Sequence, residues 1–145
     1  MGRGSQDDPP GPIQPVTAFI DTNVIVRHLT GDPPALAGRA TAFLAEADEL
    51  LLADVIVAET VYVLESFYEV LRTEVADLIR AVLAFPSIRT IGPALLLRAL
   101  EIYEVHGIDF AEAYLAASAE SAGVTNVASF DQALDRVPTI SRIEP

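Results

Sequence analysis

From residue 16 onward, short β-prone runs alternate with amphipathic helical patterns, and that alternation leaves few folds open to the chain. Val16-Thr17-Ala18-Phe19-Ile20 is a β-branched and aromatic run, and Leu50-Leu51-Leu52-Ala53 is a second short apolar one. Residues 87–91 and 125–128 supply a third and a fourth, and residues 139–143 a short fifth. Between them the spacing of apolar residues predicts helices. The first covers residues 24–29, and the second runs over 35–47 behind Pro33-Pro34. A third carries Val57, Val61, Leu64 and Tyr68 at three- and four-residue intervals. Residues 73–85 form a fourth, closed by Pro86, and 93–106 a fifth, ended by Gly107. The last begins at Asp109, runs to about residue 121 and stops at Gly123. Strands separated by helices must lie parallel, joined by right-handed crossovers. The expected architecture is α/β, a three-layer α/β/α sandwich around a central parallel sheet of four to five strands. No internal repeat of fixed period occurs.

Half of the 145 residues are hydrophobic, enough for one buried core, so residues 16–145 are read as a single domain. Residues 1–15 combine Gly, Pro, Ser and Asp with few apolar side chains and are expected to be a disordered leader. No apolar run is long enough to cross a bilayer, and no export signal is visible, so no membrane and a cytoplasmic location are expected. The chain has no cysteine, so any metal must sit on oxygen or histidine. The net charge of −12 argues against a broad basic nucleic-acid face, unless some acids hold cations that reverse the local potential.

Ligands of parallel α/β sheets collect beyond the carboxyl ends of the strands, and acids recur there. Asp21 follows the first strand and Asp131 the fourth. Glu59 and the Asp109/Glu112 pair lie near the starts of helices on the same side. Four segments thus bring carboxylates to one rim, the donor type that Mg²⁺ and Mn²⁺ require. Two such ions activate water and stabilise the leaving oxygen of a phosphodiester displacement. Each acid also has a purely structural reading. Asp21 is a good helix N-cap, although Thr22 and Asn23 beside it favour a site. Asp109 and Glu112 have capping-box spacing, which also places them on one helical face. Glu59 interrupts an apolar segment and needs solvent, a cation or a hydrogen-bonding partner. Asp131 suits a turn or cap before Gln132-Ala133-Leu134.

Other chemistries lack a motif. His28 and His106 stand alone and read as surface or helix-end residues. There is no Gly-rich phosphate loop, nucleophile elbow or zincin helix. Asp21-Thr22-Asn23 lacks the second aspartate of aspartyl-phosphate phosphatases.

Taken together, Phe19-Ile20-Asp21-Thr22-Asn23, Ala58-Glu59-Thr60, the segment from Asp109-Phe110-Ala111-Glu112-Ala113 to Ala117, and Ser129-Phe130-Asp131 resemble the PIN-domain nucleases in order and spacing. Within these the chain is most similar to the VapC toxins of VapBC-type toxin–antitoxin pairs, over residues 16–143. The resemblance implies a PIN-like fold and a metal-dependent endoribonuclease that cuts RNA, is silenced by a cognate antitoxin protein and forms a homodimer. It implies a Mg²⁺ or Mn²⁺ site on Asp21, Glu59, Asp109, Glu112 and Asp131. Asp21, Glu59, Glu112 and Asp131 are then the catalytic acids, supported by Thr22, Asn23 and Ser129. The departure is Glu112-Ala113, where the family pattern has Asp-Ala. Glutamate keeps the charge but is one methylene longer, and Asp109 is placed to share the ligation. Arg27, one turn beyond Asn23, is a candidate phosphate contact or a solvated surface residue. Two alternatives stand beside this reading: a PIN-fold binding or assembly module with little catalysis, and a non-toxin PIN nuclease of RNA processing or DNA repair.

Overall fold

The structure is a computed structural model and describes residues 16–145. The leader expected over residues 1–15 lies outside the described residues. The first strand, β1 (Thr17–Phe19), runs into helix α1 (Thr22–Thr30), followed by α2 (Pro34–Glu46). Next come β2 (Glu49–Leu51), α3 (Asp54–Ser66), α4 (Arg72–Leu83) and β3 (Ile88–Arg89). The remainder is α5 (Pro93–His106), α6 (Phe110–Ala122), β4 (Asn126–Ala128), a short 3₁₀ helix (Gln132–Arg136) and β5 (Ser141–Ile143).

Every strand pair is parallel, as strands joined through helices require. β2 is the central strand of three, with Ala18 opposite Leu50 and Leu50 opposite Ile88. Pairing continues one residue past the strands, from Ile20 N–H to Leu51 C=O at 3.1 Å and from Leu52 N–H to Arg89 C=O at 2.8 Å. β4 and β5 pair with each other. The fold is α/β as expected, but among the described residues the five strands pair as three and two rather than as one ladder. Alternation identifies strands and their direction. It says nothing about which strands become neighbours.

The apolar spacing on α3 does what it predicts: Val57, Val61 and Leu64 are buried against a core that includes Leu50, Leu96, Leu100 and Tyr103. Tyr68 lies beyond the end of that helix and is only partly buried. Gly107 and Gly123 end α5 and α6 at φ of 67° and 71°, the left-handed conformation that glycine adopts without a Cβ clash. The turn at Gly107 matters for the site, because it ends α5 and lets α6 pack back against it with Asp109 and Glu112 at its start. Among the described residues, no helix is long and apolar enough to cross a membrane.

Candidate active site

Two groups of residues carry the candidate chemistry. The first forms where β1 ends. Asp21 is extended, with φ −95° and ψ 162°, and its Oδ1 accepts a hydrogen bond from Thr22 N–H at 2.8 Å. It is therefore an N-cap, the structural role the sequence allowed. Its exposure leaves the second oxygen available. Thr22 is buried, and its Oγ1 donates to Glu59 Oε1. Glu59 projects from α3 and is exposed, so its carboxylate resolves the interruption of an apolar helix by reaching both solvent and Thr22. Asp21, Thr22, Asn23, Arg27 and Glu59 line one cleft of about 490 Å³.

The second group gathers around α6. Asp109 occupies the N-cap position, yet its side chain makes no capping bond, so the capping box suggested by its spacing with Glu112 does not form. Its exposed carboxylate is uncommitted. Glu112, in the first turn, has Oε2 buried with no hydrogen-bond partner. Burial foremost, then the adjoining Asp131 carboxylate and the charge of Asp109, push the Glu112 carboxyl above its ordinary range. Arg136 offsets part of this. Asp131 caps the 3₁₀ helix through Oδ1, which accepts from Ala133 N–H at 2.9 Å. Ser129 Oγ accepts from Asp131 N–H at 2.9 Å and fixes the backbone that carries the acid.

The acids are thus brought together as Asp21 with Glu59 and as Asp109 with Glu112 and Asp131. Among the described residues, no three acidic or histidine side chains are spaced to close around a single ion. The donor chemistry of the Glu112–Asp131 pair nevertheless fits a hard divalent cation. Mg²⁺ commonly takes only one or two carboxylates and completes its shell with water and substrate phosphate. A buried, unpartnered carboxylate oxygen next to a second carboxylate is costly without a cation.

His28 lies in the last turn of α1, a helix-end position as expected, but it is partly buried rather than a surface residue. Its Nδ1 is 2.8 Å from Thr41 Oγ1, its ring meets Phe85 edge-on, and burial lowers its pKa. Asp54 escaped the sequence reading. It follows β2 as Asp21 follows β1, and this same strand-then-acid order could have singled it out. Its Oδ2 accepts from Tyr114 Oη at 2.5 Å, and its Oδ1 is buried without a partner.

A family model described as PIN domain matches residues 18–140, and the chain belongs to that family. The fold is of the nuclease type, and members of the family typically use divalent metal ions. All five candidate acids fall inside the matched span. No curated protein matches the chain.

Proposed function

We propose that this PIN domain is an endoribonuclease dependent on Mg²⁺ or Mn²⁺, acting as the toxin of a VapBC-type toxin–antitoxin pair. The observation that carries the proposal is the orphaned Glu112 Oε2 beside Asp131, two adjoining carboxyl groups whose repulsion Arg136 only partly offsets. Glu112 and Asp131 would hold the ion, with Asp109 at their edge. Asp21 and Glu59 face the same substrate from the neighbouring cleft. The ion, when bound, supplies Lewis-acid activation of water and stabilises charge on the phosphodiester. The protein's own contribution is positional. Thr22 holds Glu59, the Asp21 cap fixes the start of α1, and Ser129 with the 3₁₀ helix fixes Asp131.

The proposed partners come from the resemblance, and the same surface is compatible with them. The Asp21 cleft is also lined by Val26, Val63 and Phe67, and Phe67 is 75 % exposed. An antitoxin segment with an apolar face would cover these side chains, and an arginine in it would suit the carboxylates. A homodimer of the toxin belongs to the same proposal.

The separation of the acids into two groups favours one competing reading, a PIN-fold binding module with little catalysis. The test is cleavage of total cellular RNA by purified protein with Mg²⁺, Mn²⁺ or EDTA, comparing wild type with Asp21→Asn. Metal-dependent cleavage lost in the variant supports the nuclease. Absence of cleavage from folded, antitoxin-free protein supports the binding module. Cleavage without any toxicity or antitoxin partner in cells would instead indicate a PIN nuclease of RNA processing.

A further inference from the structure

An RNA that approaches a chain of net charge −12 must be held by a small number of well-placed cations. Most described arginines are engaged elsewhere. Arg80, Arg89, Arg98 and Arg142 pair with carboxylates, while Arg72 and Arg136 donate to backbone carbonyls. Among the described residues, only Arg27 and Arg39 make no such bond. These two side chains lie together. Arg27 lines the cleft that holds Asp21 and Glu59, and it also lines a second cleft of about 350 Å³ shared with Arg39 and Phe43. Asn23 borders both, so the two clefts adjoin on the face of α1.

We infer that Arg27 and Arg39 form a phosphate seat beside the acids, on which an RNA strand entering the site from α2 rests its backbone. The inference rests on the nuclease reading above and adds to it the path of the substrate. Arg27 Nε is buried without a hydrogen-bond partner, so the guanidinium is partly desolvated, and the rest of its fork, on the wall of both clefts, is left to donate to a phosphate. A guanidinium fork matches phosphate geometry and keeps its charge at any working pH. Phe43 lines the same cleft and is 39 % exposed, giving a ring on which a base can stack between two held phosphates. That pairing of cations with an aromatic ring selects a single-stranded nucleic acid over an acidic peptide, which would use the cations alone.

The test is binding of a short fluorescein-labelled single-stranded RNA, followed by anisotropy over a range of KCl concentrations in Ca²⁺, together with cleavage kinetics in Mg²⁺ or Mn²⁺. The proteins are wild type, Arg27→Gln, Arg39→Gln, Arg39→Lys and, as a charge-matched control, Arg89→Gln. Arg39 is exposed, so its substitution tests the seat even if Arg27→Gln folds poorly. Each phosphate contact to single-stranded nucleic acid contributes about 0.7 to the slope of log K against log salt. Arg39→Gln is expected to lower the slope by about that amount and to raise KM severalfold at nearly constant kcat, with Arg39→Lys restoring much of both. Arg89→Gln should match wild type. Wild type that cleaves RNA while Arg39→Gln keeps the same slope and KM overturns the seat and leaves the nuclease standing. Wild type that neither binds nor cleaves RNA overturns both.

Discussion

Glu112 in the first turn of α6 stands against Asp131 at the start of the 3₁₀ helix, and its Oε2 is buried with no hydrogen-bond partner. Such a contact opposes folding and is retained where function needs it. Glu112→Gln removes the repulsion without changing the side chain's shape. The variant is expected to be about 1 kcal/mol more stable than wild type in EDTA, roughly 3 °C in Tm. It should also lose cleavage by about 10²-fold or more, as when a group stabilising transition-state charge is deleted. Addition of Mn²⁺ should raise the Tm of wild type and leave Glu112→Gln nearly unchanged. Thermal scans with and without metal, beside a cleavage assay, check all three. A metal-free variant less stable than wild type would mean that Glu112 is satisfied in the apo protein.

Thr22→Val tests whether Glu59 must be held. Thr22 is buried and valine has nearly its shape, so the main loss is the hydroxyl that donates to Glu59. A stability loss of about 1 kcal/mol is expected, the net worth of one hydrogen bond. Cleavage should fall about tenfold, because Glu59 is then free to turn into solvent. Thr22→Ser keeps the donor and should recover most of the rate. Equal rates for the valine and serine variants would remove Glu59 positioning from the account.

Much of this site was legible in the sequence, because acids placed directly after strands are located by local signals. Asp21 caps α1 and Asp131 caps the 3₁₀ helix, both as their neighbours suggest. The helix from Pro93 to His106 has the bounds set by Pro93 and Gly107. Long-range placement was not legible. Spacing could not tell that the Asp109 side chain would leave its cap unmade, nor that Glu112 would face Asp131, nineteen residues further along the chain. It could not show that the strands pair as three and two. Asp54 was passed over because the apolar residues around it dominate the pattern, and only Tyr114, far along the chain, reveals its partner.

Acid stability should depend on a pair remote from the site. Arg98 on α5 holds Glu120 on α6 through Nε to Oε1 at 2.7 Å and Nη2 to Oε2 at 2.8 Å. The hydrogen bonds from Arg98, assisted by Thr139 against the cost of burial, hold the Glu120 carboxyl down to about 2. A depressed folded-state pKa means that the unfolded chain binds the proton first, so the contribution is complete above about 4.5 and disappears as pH falls toward 2. Glu120→Gln is therefore expected to lower stability at neutral pH by about 1 kcal/mol after solvent screening. Its deficit relative to wild type should close between those two pH values. Chemical denaturation at a series of pH values measures the difference, and a deficit that persists at pH 2 would assign it to packing instead.

The connection that delivers α6 is fastened by Arg72. The C-terminal carbonyls of a helix lack partners within it, and Arg72 Nη1 donates to Tyr103 C=O at 3.0 Å and to Ile108 C=O at 2.6 Å. Its guanidinium also lies 4.4 Å from the centre of the Tyr103 ring, while Arg136 Nη1 donates to Gly107 C=O at 2.9 Å. Ile108 immediately precedes Asp109, and Glu112 follows one turn later, so the clamp sets where both carboxylates stand. Arg72→Met keeps an apolar stem of similar length but loses charged donors and the ring contact, which together are worth about 2–4 kcal/mol. A Tm lowered by about 6–12 °C is expected. Cleavage measured well below that Tm, per folded molecule, should fall by more than tenfold, because displacement of catalytic groups by about 1 Å is enough to cost that much. Tyr103→Phe is the companion variant. It removes the hydroxyl that donates to Glu65 Oε2 but leaves the ring and the Arg72 clamp in place, so it should lose stability without losing rate. If Arg72→Met also keeps its rate per folded molecule, the clamp serves stability alone and the positions of Asp109 and Glu112 are set within α6.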